Sequence, residues 1–173
     1  NEGSFHESVN MAATWKLPVI FFIINNKYGI SMDIHHATNT EHLYTRAQAY
    51  GILGLYEKDG NDVIKVYNEF QKAVEHVKNG NGPVIMEVES YRWFGHSTAD
   101  AGVYRTKEEV DAWKKKDPLI KFADYLIEKN VATKEELEKM EEDSKQKILD
   151  AVEYAKNSPE PTLDVAFEDV YSD

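Results

Sequence analysis

"PVIFFIINNKYGIS", residues 18–31, decides how the chain is to be read. The run from Val19 to Ile24 predicts a strand buried on both faces, with Pro18 just ahead of it. It stops at Asn25 and Asn26 and passes directly into Lys27, Tyr28 and Gly29. A second apolar run, Val84 to Tyr91, likewise ends in polar sequence: Arg92, then Gly95, His96 and Ser97.

Working outward, Phe5, Val9, Ala12 and Ala13 recur at helical spacing and predict a helix over residues 3–15. Thr40 is placed to cap a helix from Glu41 to Tyr50, which Gly51 ends. A short strand follows over 52–57, closed by a turn at Asp59-Gly60. Asn61 is then expected to cap a long helix with Val63, Val66, Tyr67, Phe70, Val74 and Val77 on one face. "NGNGP" breaks that helix before the second apolar strand. This alternation of strand and helix is the grammar of an α/β fold with a parallel sheet.

The last third differs in kind. Thr106-Lys107-Glu108-Glu109 and Thr133-Lys134-Glu135-Glu136 both read as capping boxes, and Asp117-Pro118 as a cap with proline in the first turn. Three helices are therefore expected to start near 107, 118 and 134. The last should turn Leu137, Met140, Ile148, Val152 and Ala155 inward, before an extended tail.

Composition narrows the function classes. Charge is −11, from 20 Lys plus Arg against 31 Asp plus Glu, which argues against a nucleic-acid partner. The one dense basic cluster, Lys114-Lys115-Lys116, reads as a solvated helix face. No apolar run approaches the roughly 20 residues needed to cross a bilayer, so no membrane role is expected. Cysteine is absent, which removes disulfides and thiolate metal sites and fits a cytoplasmic location. The chain opens at Asn1 with no signal segment and no approach to its first helix, and is expected to be the inside of a longer protein.

In an open parallel sheet, ligands bind beyond the carboxyl ends of the strands. There, an asparagine amide oxygen and exposed backbone carbonyls suit a hard cation such as Mg²⁺ or Ca²⁺. The other reading of Asn25-Asn26 is a turn that merely stops the strand. Only three of the 20 basic residues are arginine, and Arg92 and Arg105 bracket "WFGHSTADAGVY". A guanidinium fork binds phosphate bidentately, so this Gly-containing loop points to an anionic ligand; the alternative is a surface loop with incidental charges. Taken together, the two strand ends describe a diphosphate–metal site. Trp93 is the loop's one obvious apolar anchor, so residues 95–103 are expected to be mobile until a ligand orders them. His35 and His36, adjacent in an extended stretch, would point to opposite faces and could not share a metal. His6, His42 and His76 are expected on helices, as surface or packing residues.

"NEGSFHESVNMAATWKLPVIFFIINNKYGIS" and "GPVIMEVESYRWFGHSTADAGVYRTKEEV" together resemble the α subunit of the E1 component of thiamine-diphosphate-dependent 2-oxo acid and acetoin dehydrogenases, in its C-terminal half. The resemblance implies a partial thiamine-diphosphate-binding α/β domain over residues 1–105, its N-terminal half missing, and a helical C-terminal region over 106–173. It also implies that the Asn26 side chain and the Tyr28 carbonyl ligate Mg²⁺, in the closing half of a motif whose opening Gly-Asp-Gly would precede Asn1. Carried over in the same way, Arg92 and His96 contact the cofactor diphosphate, with His96 also near the reacting centre. Ser97 matches a serine that is phosphorylated in mitochondrial relatives, and Asp100, Tyr104 and Arg105 match positions of the loop that orders around the cofactor, with Ser97 and Arg105 counted among the cofactor-binding residues. Glu2 stands where some relatives have glutamine, and Phe94 where some have a second histidine. The implied enzyme is an α2β2 heterotetramer with an E1 β subunit. It would cleave a C–C bond in acetoin, pyruvate or a branched 2-oxo acid and pass the product unit to lipoyl-E2. Without the motif's aspartate the chain alone is expected to be inactive, to bind cofactor weakly, and to show an unpaired sheet edge. A non-catalytic assembly module and another doubly wound nucleotide-binding domain are the alternatives, the second disfavoured because no complete Gly-rich phosphate loop is present.

Overall fold

The computed structural model describes residues 2–168 and residue 170. The elements run α1 (Gly3–Thr14), β1 (Ile20–Asn25), β2 (Tyr28–Gly29), β3 (Met32–Asp33), α2 (Ile34–Ala37) and a 3₁₀ segment (Leu43–Tyr50). Then come β4 (Leu53–Glu57), α3 (Val63–Lys78), β5 (Val84–Glu89), α4 (Lys107–Lys114), α5 (Pro118–Glu128), α6 (Lys134–Asn157) and a second 3₁₀ segment (Leu163–Phe167). The expected α/β class with a parallel sheet is what the chain adopts. Two compact units divide at Asp124 and Tyr125, so α4 and the first half of α5 go with the sheet, beyond the Arg105 boundary expected from sequence. Among the described residues no helix is long and apolar enough to cross a membrane.

The sheet order is β1-β5-β4, with both pairings parallel. Its last strand in sequence is thus its central one. Side chains alternate across the pleat. Val84, Met86 and Val88 meet Ala73 and Val77 of α3, with Val66, Phe70, Leu53 and Leu55 around them. On the other face Ile85 meets Val9 of α1 and Ala47 of the 3₁₀ segment, with Phe5, Phe21, Ile23 and Tyr44 around them. Helical layers therefore cover both sides of β5.

Several sequence expectations need correction. Burial on both faces belongs to β5, not to β1, because α3 packs on one face of β5 and α1 with the 3₁₀ segment on the other; Phe22 and Ile24 of β1 are exposed. The helix expected from Thr40 is a 3₁₀ segment that starts later, since the Thr40 hydroxyl pairs with Thr38 instead of capping. Asp62, not Asn61, caps α3 by accepting from Lys65 N–H at 3.1 Å. Asn61 is buried: its Nδ2 donates to the Lys116 carbonyl at 2.8 Å and its Oδ1 accepts from Ser90 Oγ at 3.1 Å. Val63 and Tyr67 of α3 are exposed. His35 and His36 sit on the short helix α2, both exposed, and not in extended chain. His42 precedes its helical segment and does not lie on it.

In the second unit, Thr133 and Glu136 form the full capping box at the start of α6. Of its expected inward positions only Leu137 is half-buried: Met140, Ile148, Val152 and Ala155 are exposed, and no residue of α6 is buried. The expected extended tail contains the 3₁₀ segment Leu163–Phe167, and residues 169 and 171–173 lie outside the described ones.

Backbone approach at Gly60 ties the turn after β4 to the end of β5. Gly60 N–H donates to the Glu89 carbonyl at 2.8 Å, and a Cβ added at Gly60 would lie 2.2 Å from that oxygen. Gly60→Ala should therefore cost about 1–3 kcal/mol of stability, the usual penalty for overfilling a packed contact. Urea unfolding reads it directly. An unchanged midpoint would mean that the end of β5 can move aside freely.

Candidate functional site

The site lies beyond the carboxyl ends of β1 and β5, where the sequence turns polar. Asn25 closes β1. It is buried, its Nδ2 donates to Glu87 Oε1 at 2.7 Å, and its Oδ1 accepts from Lys27 N–H at 3.1 Å. Asn26 repeats the second bond one residue on, accepting from Tyr28 N–H at 3.2 Å. Both asparagines therefore build turns with their side-chain oxygens. The Asn25 and Asn26 carbonyls accept from Ser90 N–H at 2.9 Å and Arg92 N–H at 3.3 Å, which locks the turn to the continuation of β5. Asn25, Asn26, Lys27, Tyr28, Gly29 and Ile34 line one side of an open cleft of about 200 Å³.

Two glutamates of β5 reach this turn. Glu87 is fully buried, and its second oxygen accepts from Tyr44 N–H at 2.9 Å. Glu89 pairs with Lys27 Nζ at 2.6 Å and accepts from the Tyr56 hydroxyl. Burial alone would raise the Glu89 carboxyl, but the Lys27 ammonium and the Tyr56 hydroxyl outweigh it and hold the group below its ordinary value. Tyr56 is pushed well up in turn, by burial first and then by Glu89. His42 lies against Tyr56, its ring tilted by 44° and the centroids 4.4 Å apart. Glu87, Glu89, Tyr44, Tyr56 and His42 do not stand out from the sequence as part of a site. The available signal was a pair of carboxylates, two residues apart, inside an apolar strand.

The loop from Arg92 to Arg105 carries a polar framework of its own. The Asp100 carboxylate accepts from His96 N–H at 2.7 Å, Gly102 N–H at 2.8 Å and the Tyr104 hydroxyl at 2.8 Å. Gly95 permits this, since a Cβ there would fall 2.7 Å from Asp100 Cβ. Arg92 donates from Nη2 to Tyr104 Oη at 2.8 Å and to the Ile30 carbonyl, and from Nε to the Phe94 carbonyl at 3.1 Å. Arg105 closes the base of the loop on the Arg92 carbonyl and, at 2.7 Å, on the Trp93 carbonyl. Its guanidinium lies 5.6–5.9 Å from the ring centroids of Tyr28, Tyr91 and Tyr104. The expected dearth of apolar contacts is thus made good by polar ones.

Tyr28 joins the two halves of the site. Its hydroxyl donates to Glu109 Oε1 at 3.1 Å, and burial together with that carboxylate pushes the phenol up to about 12. Glu109 is diverted by this bond: Thr106 still caps α4 by accepting from Glu109 N–H, but the expected reciprocal half of the capping box is not made. Asn26, Tyr28, Arg92 and Arg105 are therefore brought together, the arginine side chains being engaged with the protein's own acceptors. His96 and Ser97 sit on the outer turn of the loop with exposed side chains; the bonds they make here run through their backbones.

The donor chemistry at the turn fits a hard divalent cation in kind, being amide and carbonyl oxygen only. It does not fill a coordination shell, because among the described residues no group of three His, Cys, Asp or Glu side chains could hold a metal. A cation here needs further oxygens, and a bound phosphate group would furnish them.

Residues 1–164 match the family described as "Dehydrogenase E1 component". The chain is 37% identical over 171 residues to the pyruvate dehydrogenase E1 component subunit alpha of Rickettsia typhi, covering 99% of this chain and 52% of that protein. It is 37% identical over 163 residues to the protein of the same name from Porphyra purpurea, covering 94% and 47%. It is 38% identical over 173 residues to the chloroplastic pyruvate dehydrogenase E1 component subunit alpha-3 of Oryza sativa subsp. japonica, covering 100% and 40%. The chain spans about half the length of the curated relatives it matches.

The Asp100 framework has a pH signature. Backbone N–H groups of His96 and Gly102, with the Tyr104 hydroxyl, hold the carboxyl down at about 2, against an ordinary 3.8. A depressed folded-state value means that the hold on the loop is complete above about pH 4 and fails as pH falls through 2. The His96 and Gly102 amide resonances should titrate with a midpoint near 2. A midpoint at the ordinary carboxylate value would show that Asp100 does not bind them.

Proposed function

The chain belongs to the dehydrogenase E1 component family, and on that premise we propose that it supplies the diphosphate- and metal-binding part of a thiamine-diphosphate-dependent E1 α subunit. The observation that carries the proposal is the convergence of the Asn26 turn and the Arg92–Arg105 loop, held together by Arg92 N–H on the Asn26 carbonyl and by Arg105 over Tyr28. Asn26 Oδ1 and the Tyr28 carbonyl are the proposed Mg²⁺ ligands. Arg92 and Arg105 supply positive charge to the diphosphate, and His96 and Ser97 face it from the loop's outer turn. When bound, thiamine diphosphate would supply the nucleophilic carbon that allows a C–C bond next to a carbonyl to break. This chain's residues anchor its charged end and keep that end fixed relative to the loop.

Pyruvate is the substrate favoured by the names of the relatives, with acetoin as the second reading. An E1 β subunit in an α2β2 assembly and a lipoyl-bearing E2 are the proposed partners, and a cytoplasmic location is proposed with them. Of the readings raised by the sequence, the assembly module without catalysis is the one this proposal competes with.

The test uses the whole α subunit assembled with its β partner. Calorimetry should show thiamine diphosphate binding that requires Mg²⁺ and disappears with chelator. His96→Ala should keep that affinity and lower turnover by about a hundredfold or more, as befits a group at the reacting centre. Arg92→Ala should weaken cofactor binding about ten- to hundredfold, the equivalent of losing a charged contact of about 1.5–3 kcal/mol. Metal-independent binding, or full activity in His96→Ala, would overturn the assignment in favour of the assembly module.

A further inference from the structure

Glu87 is an expensive residue for its position. It sits in the middle of the central strand, opposite Ile23 on one side and Tyr56 on the other, and is completely shielded from water. A carboxylate taken out of water costs several kcal/mol unless it is fully bonded. Here the bonds are two N–H donors, Asn25 Nδ2 at 2.7 Å and Tyr44 N at 2.9 Å. An apolar residue would serve the sheet better, since Ile85, two places earlier on the same face, joins a core of Val9 and Ala47. The carboxylate therefore answers a need other than packing.

That need is visible one bond further on. With Nδ2 held by Glu87, the Asn25 amide has one orientation left, and its Oδ1 is aimed at Lys27 N–H, 3.1 Å away. The bond closes a turn over Asn26. Lys27 is in the left-handed region at φ 72°, a conformation that the closed turn imposes on a residue with a side chain. The same strand secures the far side of the turn through Glu89 and Lys27 Nζ, at 2.6 Å.

The geometry points to Glu87 as a positioning residue that fixes the Asn26 metal donor by locking the orientation of the Asn25 amide. This rests on the proposed function for what the turn holds, but not for the locking itself. Glu87 touches neither metal nor cofactor; it acts through Asn25.

The hydrogen-bond pattern offers a test that separates this role from simple stability. Glu87→Gln sets an amide N–H against the N–H of Asn25, or loses Tyr44 if it flips. Asn25→Asp sets two carboxylates together. The double variant Asn25→Asp/Glu87→Gln restores every bond with the two roles exchanged. The new amide at position 87 would donate to the new carboxylate at position 25 and still accept from Tyr44 N–H. That carboxylate would still accept from Lys27 N–H. The readouts, on the whole α subunit with its β partner, are Mn²⁺ affinity by electron paramagnetic resonance with thiamine diphosphate present, and Lys27 amide exchange with no cofactor. Each single variant should lose about 10–100-fold in Mn²⁺ affinity, the usual cost of removing a ligand's supporting partner, with faster Lys27 exchange. The double variant should recover both.

Single variants that unfold more easily yet keep Mn²⁺ affinity and Lys27 protection would overturn the proposal, leaving Glu87 as a cap for the Leu43–Tyr50 segment. A double variant that stays impaired overturns it too, even if the single variants fail to fold. If the parent protein binds no metal–cofactor pair, the proposed function fails, and the locking role is still decided by Lys27 exchange.

Discussion

Everything at the site hangs from the side-chain period of β5. Residues two apart on a strand face the same way, so Ile85, Glu87 and Glu89 form one column running from the core to the carboxyl edge of the sheet. Ile85 is packed by α1 and the first 3₁₀ segment, which fixes which face that column takes. Once it is fixed, Glu87 has to find donors inside the protein and Glu89 has to find them at the rim. Asn25 and Tyr44 meet the first demand, and Lys27 and Tyr56 meet the second. A one-residue slip of β5 would reverse the column and release all four partners. The turn after β1 is consequently held in register by a strand that lies 62 positions away in sequence, the spacing of the Asn25–Glu87 bond.

The Arg92–Arg105 loop solves a different problem, which is to hold a glycine-containing segment without a core beneath it. Its answer is convergence of acceptors and donors. One carboxylate, Asp100, collects two backbone N–H groups and a phenol, while two guanidinium groups span the loop from its base. Such a loop spends less conformational entropy when it meets a ligand than a mobile one would. It also means that Arg92 already has partners, Tyr104 and the Ile30 and Phe94 carbonyls.

How far the sequence could be read follows from the range of the interactions involved. The strands and the helix starts at 107, 118 and 134 are set by neighbours within a few residues, and they fall where the pattern puts them. Strand order is set by contacts across the whole unit, so local pattern alone does not place the last strand in sequence at the centre of the sheet. Thr106 illustrates the same divide. Its half of the capping box is local and forms, whereas Glu109 is claimed by Tyr28, 81 positions away. On α6 the spacing of Met140, Ile148 and Val152 marks a face correctly but says nothing about whether anything covers it. At the site, Arg92 and Arg105 draw attention because arginine is rare in this chain and the two bracket one loop, and Asn26 and Tyr28 because they close an apolar strand. Glu87 was missed because a strand residue was read only for its pattern.

The short hairpin of β2 and β3 gives Arg92 a structural role besides the one proposed for it. Two residues per strand cannot hold a hairpin in water, and this one carries Ile30 at φ 56°, a conformation that costs a β-branched residue of order 1–3 kcal/mol. Something outside the hairpin must hold it. Ile34 N–H closes it onto the Lys27 carbonyl at 3.0 Å, Tyr28 anchors it to Glu109, and Arg92 Nη2 takes the Ile30 carbonyl itself. Arg92 thus joins the strained corner of the hairpin to Tyr104 and Phe94 in the loop through one planar group. Lysine, with a single ammonium on a flexible stem, cannot present donors along those separate directions from one fixed plane. The two polar strand ends behave as one structural unit because a guanidinium sits between them, and any charge it offers to a diphosphate is offered from a position that the fold has already fixed.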